Sequence, residues 1–144
     1  MRRWLVELRR LTPAERRALL RACALLLLAP LLLRLRPLPR LLSSIRAERG
    51  APLDPERVAW LVGAAARYAP GARCLPVALV TAWMLARQGT SATLRVGVAR
   101  HAGHLTAHAW LEHDGHPLLA ASGADAYAPI LAVVVTAQSE SAPR

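Results

Sequence analysis

Two residues of this sequence have the type and setting for nucleophilic chemistry. Cys74 stands in RCLPVALVTAWMLARQG, residues 73–89, between an arginine and a proline at the expected first turn of a helix. A helix N-terminus stabilises a thiolate, and the thiolate is the attacking form of cysteine. The free N–H groups of the same turn are donors for the oxyanion that forms when sulfur adds to a carbonyl. Such a nucleophile needs a base held on a rigid neighbouring element. His108, inside TAHAWLEH, is the candidate, and the small Ala107 and Ala109 beside it let other elements come close. Spacing alone leaves a second reading open, a buried thiol and a half-buried histidine.

His101, His104, His113 and His116 crowd around His108. A zinc site would need two of them on one face with a further ligand, and strand and turn spacing does not provide that. They read as polar turn residues. The other cysteine, Cys23, lies in ACALLLLAPLLL and reads as a small hydrophobe. Two cysteines give no disulfide framework and no paired metal-ligand spacing.

The elements that would position Cys74 and His108 can be traced along the chain. LTPAERRALLRACALLLLA predicts a helix, with Thr12 as cap, Pro13 at its first position and Glu15 completing a capping box. Pro30 should kink or end it. RLRPLPRLLSSIRA is a broken connection followed by a short helix, and ERGAPLD is a loop. Asp54 caps a second long helix, PERVAWLVGAAARYA, whose apolar face is Val58, Leu61, Val62 and Ala65. After the turn PGAR, Leu75 to Gln88 forms a third long helix, with Pro76 in its first turn and Gly89 as its stop. Then the pattern changes to alternation. SATLRVGVAR, TAHAWLEH and HPLLAA are expected strands, joined by HAGHL and the Asp114-Gly115 turn, and YAPILAVVV ends in a fourth. Helices followed by an antiparallel sheet make the fold class α+β.

Charge divides the 144 residues unevenly. The formal net charge is +10, every basic residue is Arg, and phenylalanine is absent. Residues 1–50 hold twelve arginines and three acids; residues 51–144 hold seven and six. The expected organisation is an Arg- and Leu-rich helical arm (1–50), the main domain (51–135) and a polar tail (136–144). A nearly neutral main domain argues against nucleic acid. The arm fits a membrane surface or an acidic protein partner, against the plainer reading of a solvated helix face. Its apolar run from Ala22 to Leu33 is twelve residues, shorter than the roughly 20 of a membrane span. The N-terminus does not read as a signal peptide. The expected location is cytoplasmic, with peripheral contact at the inner membrane face through residues 1–50 as a further option.

RCLPVAL, WMLARQGTSATLRVGV and AHAWLEHDGHPLL together resemble the leader peptidases of lasso-peptide biosynthesis. These are the microcin-processing B proteins, a branch of the transglutaminase-like, papain-related cysteine proteases. The resemblance runs roughly from Val58 to Leu131. It implies helices around a nucleophile helix packed on an antiparallel sheet, with Cys74 as nucleophile and His108 as general base and then acid. It implies hydrolysis of the bond between leader and core of a ribosomal precursor peptide, with no cofactor. The family's third group, an acid on the returning strand, would fall at Ala120, between Leu119 and Ala121. Glu112 shares His108's face but lies about 13 Å along the strand, and Asp114 serves its turn. Asp125, a backbone carbonyl or a water is left to complete a triad, or Cys74 and His108 work as a dyad.

Residues 1–50 lack the strand alternation of a leader-recognition domain. The resemblance therefore implies a separate leader-recognition protein, and an ATP-dependent macrolactam synthetase that receives the freed core. Two other functions fit the sequence: a non-catalytic peptide-binding adaptor of the same complex, suggested by Ala120, and a small membrane-associated structural protein, suggested by the arm. A transferase, in which an amine replaces water, would use the same nucleophile.

Overall fold

The structure is a computed structural model that describes residues 9–118 and 124–137. Helix α1 (Pro13–Leu35) begins where its sequence dictates. The Glu15 N–H donates to Thr12 Oγ1 at 3.2 Å, and the Thr12 N–H donates to Glu15 Oε2 at 2.7 Å. This reciprocal pair satisfies two donors that a helix start leaves free. Glu15 also accepts from Arg57 Nε at 2.5 Å, fastening α1 to helix α3 (Pro55–Ala66). The Thr12 amide first, and then Arg57, hold the Glu15 carboxyl below its ordinary range.

Pro30 does not end α1. The helix runs on to Leu35, and the Arg36 N–H closes it on the Leu32 carbonyl at 2.8 Å. Proline removes one backbone bond. Ala22, Leu26 and Ala29, at helical spacing, form a buried seam against α3 and helix α4 (Cys74–Arg87), and that packing carries the helix past the break.

After one short helix, α2 (Leu38–Ser43), Ile45 is fully buried. The following loop is tied to the end of α4. The Glu48 N–H donates to the Arg87 carbonyl at 2.6 Å, and the Gln88 side chain bonds both backbone groups of Leu53, at 3.2 and 2.7 Å. Asp54 caps α3 by accepting the Arg57 N–H at 3.1 Å, and Val58, Leu61, Val62 and Ala65 are its buried face, as expected.

Helix α4 is the centre of the molecule. It packs on α1 and α3 on one side and on the sheet on the other, and nine of its fourteen residues are buried. Thr81 lies inside it at no cost in unpaired groups, because its hydroxyl donates to the Val77 carbonyl at 2.8 Å. Gly89 ends the helix at φ +85°, a conformation that favours glycine.

The sheet comprises β1 (Ala92–His101), β2 (His104–His113), β3 (His116–Pro117) and β4 (Ala128–Val135), antiparallel in the order β3-β2-β1-β4. Two tight turns join the first three strands. Ala102-Gly103 and Asp114-Gly115 each hold both residues at positive φ, which suits the twist of a two-residue hairpin. Among the described residues the third strand, expected as HPLLAA, pairs Glu112 with Pro117 and His113 with His116, and the Leu118 N–H still donates to the Leu111 carbonyl at 2.9 Å. Pro117 has no N–H to give a ladder. Residues 119–121 of that expected strand, Ala120 among them, lie outside the described residues, as do 138–144 of the expected tail. The fourth strand crosses over to pair with β1, with a bulge at Val96/Gly97.

Pleating sorts the strands into two faces. Leu94, Val96, Ala109, Leu111 and Val135 pack into the helical core. Arg95, Gly97, His108, Trp110 and Glu112 alternate with them and form the other face. The α+β class is as the sequence indicated.

Candidate active site

Cys74 is the first residue of α4, half-buried and free of any disulfide. Arg73, at the cap position in an extended conformation, offers no side-chain bond to the helix start. Pro76, two residues on, carries no N–H. The uncapped donors of this turn are therefore the backbone amides of Cys74 and Leu75. A carbonyl carbon attacked by Cys74 would place its oxygen near those amides.

His108 lies mid-way along β2, opposite Gly97 of β1. Its ring stacks on Trp110 with centroids 6.1 Å apart and 17° between planes. Tyr127 covers it from another direction, at 5.3 Å and 38°. Gly97 makes room for this arrangement. A Cβ there would sit 3.0 Å from two carbons of the Trp110 ring and 3.0 Å from the Ala128 carbonyl oxygen.

Glu112, next along the same face, is fully engaged. It accepts from Trp110 Nε1 at 2.9 Å and from Arg95 Nε at 2.6 Å. Partial burial raises its pKa, but those bonds and the Arg95 charge more than offset that, leaving it below the ordinary carboxylate range. Glu112 thus orients Trp110, and Trp110 flanks the histidine.

Helix α4 packs on β2, but it meets the face of Ala109 and Leu111. The pleat turns His108 to the other face, so the structure brings the two elements together and not the two side chains. Among the described residues no hydrogen bond joins the two side chains. Asp125 falls in a short 3-10 turn, Ala124–Ala126, and is exposed, with no bond to His108. The chain does fold back at this point, but it is Tyr127 that reaches the imidazole. Sequence reading passed over Tyr127, for which an aromatic residue just before a strand was the sole signal.

Two of the remaining histidines bond backbone carbonyls. The His113 Nδ1–H donates to the Ser91 carbonyl at 2.9 Å and the His116 Nδ1–H to the Asp114 carbonyl at 2.9 Å. Among the described residues no group of three metal-ligating side chains comes together.

Helices ahead of a small antiparallel sheet, with a cysteine opening the central helix, define an α+β architecture that fits a transglutaminase-like domain. Residues 3–132 match the Transglutaminase-like superfamily, and the chain belongs to it. That superfamily includes cysteine peptidases. No curated protein and no solved structure matches the chain.

Proposed function

We propose that this protein is a cysteine peptidase that removes the leader from a ribosomally made lasso-peptide precursor before macrolactam formation. The observation that carries the reading is Cys74 as the first residue of an uncapped central helix, in a chain of this superfamily. His108 takes the thiol proton, and the thiolate adds to the carbonyl at the leader–core junction. The Cys74 and Leu75 amides hold the oxyanion. Collapse breaks the C–N bond, and His108 returns the proton to the departing core amine. Water, deprotonated by His108, then releases the leader as a free acid and restores the thiol. His108 lies on the sheet face turned away from α4, so this step requires β2 to rearrange when substrate binds. A separate leader-recognition protein presents the precursor, and an ATP-dependent synthetase takes the core.

A second reading, a peptide-binding adaptor without catalysis, has its own support. No hydrogen bond links Cys74 to His108, and no carboxylate among the described residues bonds the imidazole. Intact-mass analysis separates the two. Precursor and recognition protein are incubated with wild type, Cys74→Ala and His108→Ala. Leader release by wild type, reduced at least a thousandfold in both variants, supports the peptidase. Intact precursor in all three reactions, with the precursor still bound, supports the adaptor.

A further inference from the structure

Helix α1 has two apolar faces and buries one. Ala22, Leu26 and Ala29 form the seam against α3 and α4. On the other side Leu20, Leu27, Leu28, Leu31 and Leu35 stand in solvent, each at least half exposed. At about 100° per residue these five fall in one stripe, roughly opposite the seam. Lone exposed leucines are ordinary, but a continuous stripe marks a surface with a partner.

The charges around the stripe select that partner. Arg9, Arg10, Arg16 and Arg17 lie at its N-terminal end and Arg34, Arg36 and Arg40 at the other, all exposed. The described acids of this region are already taken. Glu15 pairs with Arg57, and Glu48 pairs with Arg21 and Arg87. Of the ten arginines described between residues 9 and 50, Arg21 alone is ion-paired. A second copy of the chain would bring the same uncompensated cations to the same stripe, so self-association through this face is opposed. An anionic surface with an apolar interior meets both features.

We propose that α1 is an in-plane membrane anchor: its leucine stripe enters the acyl boundary of an anionic bilayer while the flanking arginines hold lipid phosphates. By length, and by the mean hydropathy of 2.1 over its most apolar 18 residues, the helix could pass for a span. Two features lay it flat instead. Arg21 and Arg34 bracket twelve residues, about 18 Å of helix against a hydrocarbon core of about 30 Å. The seam also holds one side of α1 to the rest of the protein, so crossing would draw packed core into lipid. Arginine stems lie along the apolar surface while their heads reach the phosphates. This anchor is independent of any chemistry at Cys74.

The test is flotation of the full chain with vesicles of phosphatidylcholine alone, or of phosphatidylcholine and phosphatidylglycerol in equal parts. Wild type should float with the anionic vesicles and far less with the neutral ones. Leu27→Glu/Leu31→Glu should abolish flotation. Arg16→Gln/Arg17→Gln/Arg34→Gln should weaken it about a hundredfold, from roughly 1 kcal/mol for each arginine near an anionic surface. These residues are exposed, so circular dichroism and the melting temperature should match wild type in both variants. Recovery of wild type in the soluble fraction with anionic vesicles overturns the proposal. Sedimentation then assigns the stripe to self-association if the chain is dimeric, or leaves an acidic protein partner if it is monomeric. Flotation that survives Leu27→Glu/Leu31→Glu also overturns it.

Discussion

At the scale of single residues, two aromatic rings flank His108, where the family resemblance implied a carboxylate. Trp110 and Tyr127 fix the plane of the imidazole, and under the proposed peptidase reading orienting that ring is the service a third group gives. Tyr127→Leu should therefore lower kcat about tenfold and leave KM close to wild type, whereas Asp125→Ala should leave both within about twofold. A large loss in Asp125→Ala would assign orientation to that carboxylate instead. Steady-state kinetics on the leader–core junction reads both. Glu112 offers a pH test. A carboxylate whose pKa is depressed on folding stabilises the protein above its unfolded value, and that contribution is lost as pH falls through the folded value. Wild type should thus lose stability below roughly pH 4.5, while Glu112→Gln, about 1 kcal/mol less stable at pH 7, should lose less over the same acid range. Urea midpoints at a series of pH values would show the two converging. The place of Cys74 at a helix start and of His108 within a strand was legible because helix starts and strand alternation are local patterns. Tyr127 was not, because its approach to His108 depends on how a long connection returns to the sheet.

At the scale of elements, local chemistry wrote the boundaries that sequence analysis recovered. Thr12 with Glu15, Asp54 with the Arg57 amide, and the Asp114-Gly115 turn are each complete within four residues, so no distant contact is needed to recognise them. Whether a helix ends or runs on at Pro30 is not local in this way: α1 continues to Leu35 because α3 and α4 pack against it. Thr12→Ala should cost about 1 kcal/mol, the ordinary value of a cap. Because Glu15 also holds Arg57, Glu15→Ala should cost more than Thr12→Ala, and denaturation of the two variants ranks them. Gly97 matters for space rather than for backbone freedom. Gly97→Ala would press a methyl group on the Trp110 ring and on the Ala128 carbonyl at 3.0 Å. A loss of about 1–3 kcal/mol is expected, with a shift in tryptophan emission as Trp110 moves.

At the scale of the whole molecule, α1 joins surfaces that the sequence presented as separate. Its charge and leucine content set residues 1–50 apart in composition. Yet Ala22, Leu26 and Ala29 belong to the same core as Leu85 of α4 and Leu94 and Leu111 of the sheet. The match to the superfamily likewise begins at residue 3. Composition reports what a segment shows to solvent; the seam is three small or branched residues that carry no distinctive signal. A shared core implies a shared transition. Leu26 is fully buried in that seam, and Leu26→Ala should cost about 2–5 kcal/mol. Trp60 and Trp83 lie on α3 and α4 and Trp110 on β2, so tryptophan emission samples both layers. If α1 is integral to the fold, emission and far-ultraviolet dichroism should fall together in one transition, and Leu26→Ala should lower its midpoint without splitting it. A first transition that carries part of the dichroism and only part of the emission change, since Trp83 lies beside Leu25, Ala29 and Leu32 of α1, with that phase alone shifted by Leu26→Ala, would show α1 leaving while α3, α4 and the sheet stay packed. In that event a membrane-bound α1 could detach from the site it sits beside. With a single transition, binding at the leucine stripe holds the Cys74 helix at a fixed height above the bilayer.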